Sequence, residues 1–431
     1  MLTENSFKNA KTALLVGAYL TTKDKEACDD NLIELERLCD TYGLQAVDSV
    51  SCPIKKIDAG SFLGSGKLDE LLLQANELNA DIIVFDEEIT PNQQRNLEQF
   101  FKRPVIDRTE LIIEVFAQRA QTREARLQIE LAKVKYQLPR LKRMWTHLSR
   151  QAGSGGSGGG GGYLRGAGEL QIELDRRMLR KRMTQLQKEI VEVEKQRETQ
   201  RRQRIRTGIP TFAIVGYTNA GKSTLLNALT NASVLVEDKL FATLDTTTRK
   251  FILPNRQEIL LIDTVGFIRK IPHTLVAAFK STLEEAVHTD ILLHLVDVSN
   301  PMAELQAEAT AQVLKELNAN NPMITVLNKI DACTTPGIAY KFRVKYPKTV
   351  PISAITKEGF DQLMELMIEE IAALRKTFKL RVPQSHYALV SELMREGKVL
   401  QCDYEENDIL IHVEVPNRLE SKVRPFVYES A

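Results

Sequence analysis

A multidomain α/β protein is what this sequence predicts, and three observations predict it. Short apolar runs alternate with helically spaced apolar residues through 1–112 and again through 207–374, the pattern of helices laid on a parallel sheet. The run Phe212–Val215 leads straight into Gly216-Tyr-Thr-Asn-Ala-Gly-Lys-Ser223, a glycine-rich turn between strand and helix of the kind that cradles phosphate. Between the two alternating regions, 113–206 holds long helical patterns with few breakers.

In the first region, Ala13–Leu20 and Gln45–Ser51 read as strands, with a helix near Lys25–Tyr42 between them. A helix at Lys67–Leu78, a buried strand at Asp81–Asp86, a helix at Asn92–Phe101 and a short strand at Val105–Ile106 complete a small N-terminal α/β domain, 1–112. Gly60-Ser-Phe-Leu-Gly64-Ser-Gly66-Lys67 imitates a phosphate loop, but Leu68 stands where a metal-binding hydroxyl is needed. It reads as a tight turn before a helix.

Glu110–Leu148 and Leu170–Arg206 are the long helical patterns, and ten of the sixteen residues in Gly153–Gly168 are glycine. An antiparallel two-helix arm joined by a mobile Gly-rich loop, 153–168, is the economical reading of 113–206. Residues 119–206 carry 22 Lys and Arg against 9 Asp and Glu, a net of +13 inside a chain that sums to +1. A solvated helix surface usually mixes signs more evenly, so the arm is expected to bind a polyanion, RNA first. Trp145 lies within it and is assigned to packing between the helices rather than to base stacking. The last segment, 375–431, reads as a small α+β domain with a helix near Ser385–Arg395 and two strands, one of them Asp408–Val415.

Composition limits the remaining classes. At 431 residues the chain exceeds one ordinary core, and no apolar run approaches the roughly 18 residues that cross a bilayer. Its beginning lacks a basic-then-apolar export pattern. The five cysteines, Cys28, Cys39, Cys52, Cys333 and Cys402, show no metal-ligand spacing and suit a reducing compartment. A cytoplasmic monomer without stable membrane insertion is expected, a peripheral membrane-associated fraction being compatible with it.

The chemistry lies in 207–374. In the loop Gly216, Tyr217, Thr218, Asn219, Ala220, Gly221, Lys222, Ser223 and Thr224, backbone N–H groups and a helix N-terminus face phosphate oxygens. Lys222 is expected to reach the β- and γ-phosphates, and Ser223 to ligate Mg²⁺. Asp263-Thr264-Val265-Gly266 ends a strand, Glu258–Ile262. Asp263 would hold the metal through water, and the Gly266 N–H would meet the γ-phosphate. Asn328-Lys329-Ile330-Asp331 follows the strand Met323–Leu327. The Asp331 carboxylate can accept from N1–H and the 2-amino group of guanine, a donor pair adenine lacks. Ser353-Ala354-Ile355 fits a loop whose backbone meets the guanine O6. Switch I is expected at Phe241-Ala242-Thr243-Leu244-Asp245, continuing through Thr246, Thr247 and Thr248, with Thr243 preferred as the second metal ligand. Four motifs in order make this a P-loop GTPase domain for GTP and GDP. Where Ras-like switches keep a water-positioning glutamine, this chain has Phe267, so its catalytic group is unassigned and unassisted hydrolysis is expected to be slow. Asn219 suggests a K⁺ ion beside the phosphates.

With these residues in place, the chain resembles the HflX family of ribosome-associated GTPases, in the Obg-like lineage. The likeness rests on Phe62-Leu-Gly-Ser-Gly-Lys-Leu-Asp-Glu70, on Val84-Phe-Asp-Glu-Glu-Ile-Thr-Pro-Asn-Gln-Gln-Arg-Asn-Leu97 and on Val105-Ile-Asp-Arg-Thr-Glu-Leu111. Phe116-Ala-Gln-Arg-Ala-Gln-Thr-Arg-Glu124, Leu148-Ser-Arg-Gln151, Asp175-Arg-Arg177 and the GTPase motifs add to it. The resemblance implies a GTP-dependent factor that binds the large ribosomal subunit and its rRNA and dissociates stalled or stress-arrested 70S ribosomes. It also implies that the Gly-rich loop approaches the peptidyl-transferase region, and it places the Mg²⁺ threonine at Thr243. Two residues depart from the family pattern: Thr246 and Ala167 stand where the family has proline. A GTPase switch in ribosome assembly or RNA modification, and a regulatory GTP-binding module without splitting activity, are the alternative readings.

Overall fold

The structure, a computed structural model, describes residues 10–141, 163–230, 239–241, 244, 247–270, 287–334, 337–405, 407–416 and 419–430. Trp145, residues 153–162 of the Gly-rich loop, Ala242, Thr243, Asp245 and Thr246 lie outside the described residues.

The first layer is β1 (Thr12–Tyr19), α1 (Thr22–Tyr42), β2 (Gln45–Pro53), α2 (Ser65–Glu77), β3 (Ile82–Phe85), α3 (Pro91–Phe101) and β4 (Val105–Asp107). Its sheet has the order β2-β1-β3-β4 and every pair is parallel. The local chemistry explains the boundaries. The Thr21 N–H donates to Asp24 at 3.0 Å ahead of α1, and Gly43 ends that helix at φ 97°, where a side chain would be strained. Thr90 and Gln93 cap α3 reciprocally, at 3.3 and 2.9 Å, with Pro91 at its first position. The imitation phosphate loop is the expected turn: Asp58 and Phe62 exchange backbone hydrogen bonds of 3.0 Å, and Gly64 caps α2.

The pattern over Glu110–Leu148 predicts one helix, and among the described residues, which stop at 141, the chain makes two, α4 (Arg108–Arg119) and α5 (Arg123–Gln137). Ala120 is extended and Thr122 receives the Ala125 N–H at 3.2 Å. A threonine hydroxyl that satisfies a free helix-end N–H competes with continuing the helix. A 3₁₀ turn at Leu138–Arg140 follows. The second arm helix, α6 (Tyr163–Thr207), starts before the expected Leu170 and takes in Gly166, Ala167 and Gly168, the C-terminal end of the stretch read as loop. Glu130 pairs with Arg182 and Glu124 with Arg197, so α5 and α6 run antiparallel. Leu127, Leu131, Val134, Leu186 and Ile190 fill the seam between them.

The third part holds β5 (Thr211–Gly216), α7 (Lys222–Thr230), β6 (Thr247–Ile252), β7 (Glu258–Asp263), β8 (Ile291–Asp297), α8 (Ala303–Glu316), β9 (Met323–Asn328), α9 (Ile338–Lys345), β10 (Thr349–Pro351) and α10 (Phe360–Ala373). Its six-stranded sheet runs β10-β9-β8-β5-β7-β6, and only β6 is antiparallel to its neighbour. Parallel strands point their C-terminal ends one way, so the loops after β5, β7, β8, β9 and β10 gather at one edge. Last come β11 (Arg375–Pro383), α11 (Tyr387–Glu396), β12 (Lys398–Glu405), β13 (Asp408–Pro416), α12 (Glu420–Val423) and β14 (Val427–Ser430). These strands form a four-stranded antiparallel sheet where two strands were expected.

The first and third parts share one core: Leu35 and Phe116 pack in the same cluster as Tyr217, Leu240, Phe241, Val265 and Phe267. Among the described residues no helix is long and apolar enough to cross a membrane.

Candidate functional site

The loop from β5 to α7 is shaped by two close approaches. A Cβ at Gly216 would overlap the Leu295 carbonyl, and one at Gly221, at φ 94°, would overlap the Asn328 amide. Asn328 uses that space: its Nδ2 donates to the Ala220 carbonyl at 2.8 Å, and its Oδ1 accepts the Ala354 N–H at 3.0 Å. One buried side chain thus ties the phosphate loop to the loop at Ser353–Ile355. The Ser353 hydroxyl, itself buried, receives the Thr356 N–H at 3.1 Å, while Ile355 is exposed. Lys329 sits at φ 64° and pairs with Asp297 at 2.7 Å. Asp331 is exposed on the turn Ile330–Ala332, beside this edge.

Lys222 is buried, and its ammonium donates to the Tyr217 carbonyl at 2.8 Å and lies 3.3 Å from that of Gly216. Burial pulls its pKa down to about 8, with Asp263 acting in the opposite sense. Ser223 Oγ donates to Asp263 Oδ2 at 2.6 Å. A hydroxyl and a buried carboxylate meeting at one point present hard oxygens, the donor chemistry that would suit Mg²⁺.

The segment after β7 closes on this loop. The Thr218 N–H donates to the Phe267 carbonyl at 2.7 Å, and the Phe267 N–H to that of Gly216 at 3.0 Å. A Cβ at Gly266 would stand 2.8 Å from Thr218 Cα and 2.9 Å from Lys222 Nζ. Only glycine permits this contact. The Thr218 N–H and the Lys222 ammonium are thus both taken by protein carbonyls.

Several residues expected in the site turn elsewhere. Thr264 donates its hydroxyl to the Ile214 carbonyl at 2.7 Å, and Val265 and Leu244 lie in the shared core. Phe241 stacks edge-on against Phe116, 4.4 Å between ring centroids. The Tyr217 hydroxyl leaves the loop altogether: it donates to Glu34 of α1 and accepts the Arg269 N–H at 2.7 Å. Burial and Glu34 push that phenol's pKa well up, so it stays protonated.

The sequence reading missed α1 as a wall of this site. Glu34 also binds Arg108, a buried guanidinium that reaches Asp86 at 2.7 Å and the Arg269 carbonyl at 3.3 Å. Lys270 pairs with Asp86 at 2.5 Å and Glu87 at 2.7 Å. The Leu240 N–H donates to Thr41 at 3.2 Å. Between α1 and the loops lies a cavity of about 600 Å³ bordered by Glu34, Arg37, Thr218, Asn219, Leu240 and Lys329. Asp86 and Arg108 do lie in stretches quoted for the resemblance, but nothing in their spacing shows that they meet Arg269 and Lys270.

Comparison with known proteins agrees with this architecture. The family models described as GTP-binding GTPase N-terminal, GTP-binding GTPase Middle Region and 50S ribosome-binding GTPase match residues 29–117, 119–204 and 211–329. A GTPase HflX of Chlamydia pneumoniae is 47% identical over 417 residues, 96% of this chain and 88% of that protein. A GTPase HflX of Lacrimispora saccharolytica is 46% identical over 93% of each chain. A solved GTP-binding protein of Sulfolobus solfataricus, in complex with GDP, is 25% identical over 84% of this chain and 99% of its own, with a TM-score of 0.45. With near full-length identity at that level to its relatives, the chain belongs to the HflX family of GTPases.

Proposed function

We propose that this GTPase binds the large ribosomal subunit and its rRNA through the basic arm and dissociates stalled or stress-arrested 70S ribosomes, with hydrolysis controlling release. The observation that carries the reading is the net +13 of 119–206 on an antiparallel helix pair followed directly by β5 and the phosphate loop. The family description 50S ribosome-binding GTPase, matched at 211–329, supports it. The division of labour follows the four expected segments, 1–112, 113–206, 207–374 and 375–431. A cytoplasmic location goes with a ribosomal partner.

In the site, backbone N–H groups of 216–223 take the phosphates once Phe267 releases Thr218, and Lys222 turns from the Tyr217 carbonyl to the β- and γ-oxygens. Ser223 would hold Mg²⁺ directly and Asp263 through water, with Thr243 as the second direct ligand. When bound, the metal neutralises charge on the phosphate oxygens. Asp331 reads guanine, Lys329 covers the base, and the backbone of Ser353–Ile355 meets O6. A K⁺ beside Asn219 belongs to the same reading, and equal rates in sodium and potassium buffers would remove it.

The test is gradient sedimentation of 70S ribosomes with the full chain and GTP, GDP or a non-hydrolysable GTP analogue. Comigration with large subunits and loss of 70S particles are expected with GTP and the analogue. Deletion of 153–168 should retain GTP binding and lose splitting; unchanged splitting would overturn the role of the loop. Binding without splitting would favour a switch in ribosome assembly.

A further inference from the structure

Phe267 takes the place of the usual water-positioning amide, and its ring is buried in the shared core. The attacking water therefore needs another hydrogen-bonding group near the γ-phosphate. Two groups mark where that phosphate comes to lie, Lys222 Nζ and the Gly266 N–H. A Cβ built on Gly266 would stand 2.9 Å from Lys222 Nζ and 2.8 Å from both Cα and Cγ2 of Thr218. The Thr218 side chain thus stands beside the two groups assigned to the γ-phosphate. Its backbone is held there by the N–H bond to the Phe267 carbonyl at 2.7 Å and by the left-handed turn at Asn219, φ 61°.

The hydroxyls around the loop fall into two groups. Ser223 Oγ donates to Asp263 Oδ2 at 2.6 Å, the Thr264 hydroxyl donates to the Ile214 carbonyl at 2.7 Å, and the Tyr217 hydroxyl is engaged by Glu34 and the Arg269 N–H. Thr218 is buried, yet its Oγ1 has no hydrogen-bond partner among the described residues. Burying a hydroxyl without a partner is unfavourable, and such a group calls for a reason. The residue that carries it also borders the cavity beside the loop. In this state Gly266 fills the space next to the Thr218 side chain. A γ-phosphate entering between Lys222 and Gly266 displaces that segment, and the Thr218 hydroxyl then faces the phosphate and the water behind it.

We propose that Thr218 is a catalytic residue of this site: its Oγ1 accepts a hydrogen bond from the attacking water and turns a lone pair of that water towards Pγ. In the step it assists, the water oxygen bonds to Pγ as the bond from Pγ to the β–γ bridging oxygen breaks. The electron pair stays on GDP, and the water proton passes to the phosphate released. Thr218 keeps its own proton throughout, and nothing is oxidised or reduced. A neutral hydroxyl is sufficient because the task is to orient the water rather than to deprotonate it. The proposal rests on the phosphate placement above.

Single-turnover GTP hydrolysis by the full chain at saturating GTP tests it, alongside affinity for a non-hydrolysable GTP analogue and thermal unfolding. Thr218→Val keeps the shape and removes the hydroxyl, whereas Thr218→Ser keeps the hydroxyl and removes the methyl group. Thr218→Val is expected to slow hydrolysis by about tenfold or more, with analogue affinity within about threefold. Its melting temperature should be unchanged or higher, since an unpaired buried hydroxyl is gone. Thr218→Ser should stay within about threefold of the parent rate. A purely structural role gives the opposite split, a lower melting temperature and a rate loss that tracks affinity. That split, hydrolysis by Thr218→Val at the parent rate, or Thr218→Ser as slow as Thr218→Val, overturns the assignment. Lys222→Ala separates the two readings. Full GTP affinity in that variant shows that the phosphate placement is wrong, and the proposal falls with it; lost affinity beside a fast Thr218→Val variant removes Thr218 alone.

Discussion

Asn328 and Asp331 stand in one short motif and do different work. Asn328 holds two loops together through contacts of 2.8 and 3.0 Å, whereas Asp331 is exposed on the turn that follows. Asp331→Asn should therefore weaken guanine-nucleotide binding by about 2 kcal/mol or more, roughly thirtyfold in Kd, with an unchanged melting temperature. Equilibrium binding of a fluorescent GDP measures the first and thermal unfolding the second. His294 is the opposite case. It is fully buried on β8, neither ring nitrogen has a hydrogen-bond partner among the described residues, and burial pulls its pKa down to about 4. The folded chain thus refuses a proton that the unfolded chain accepts below about 6.5. More protons bound to the unfolded form mean that stability rises with pH between about 4 and 6.5 and is lost on acidification. His294→Leu should flatten that acid limb, by an amount on the order of 3 kcal/mol across the window. Denaturant unfolding at a series of pH values checks it, and an unaltered slope would remove His294 as the cause.

At the level of elements, the arm shows where a sequence pattern misleads. Apolar residues keep helical spacing through Ala120–Thr122, so periodicity alone joins α4 to α5. The break comes from the Thr122 hydroxyl and its bond to Ala125, a local competition that spacing does not record. Beyond the break, the seam depends on few side chains. Leu186 is fully buried against α5, with Leu127, Leu131 and Val134 in the same cluster. Leu186→Ala should cost about 2–5 kcal/mol and bring forward the loss of helical signal on heating. Since Leu186 is far in the chain from every phosphate-loop contact, GTP affinity should hold. A parallel loss of both would show that arm and nucleotide site unfold together.

Across the whole molecule, the contact between the N-terminal layer and the switch loops is the organising feature. Arg108 joins Glu34, Asp86 and the Arg269 carbonyl within a buried space. Removing it takes the buried guanidinium from Glu34 and Asp86, which keep Arg269 and Lys270 as their remaining cations, so Arg108→Ala should lose about 3 kcal/mol. Hydrogen exchange should then rise in α1 and around Tyr217 and Arg269 together; exchange confined to one side would mean that the two parts are not coupled. Glu34→Gln is a milder check, because it keeps an acceptor for the Tyr217 hydroxyl while removing one charge.

The GTPase motifs were readable in the residues themselves, because phosphate and guanine recognition depend on short contiguous stretches whose geometry is local. So were the parallel sheets, through buried runs such as Ile82–Phe85 and Ile214–Val215, and so was the basic arm, since charge adds along the chain whatever its fold. The partnership of α1 with the phosphate loop was not. Glu34 and Tyr217 are 183 residues apart, and a helix surface with Asp30, Glu34, Arg37 and Asp40 reads as solvated until something packs against it. Tertiary structure alone decided that this face borders the cavity beside the phosphate loop and that the Tyr217 and Thr264 hydroxyls turn to Glu34 and the Ile214 carbonyl. The physical reason is that long-range packing selects which polar side chains lose water, and that choice cannot be read from spacing along one strand or helix.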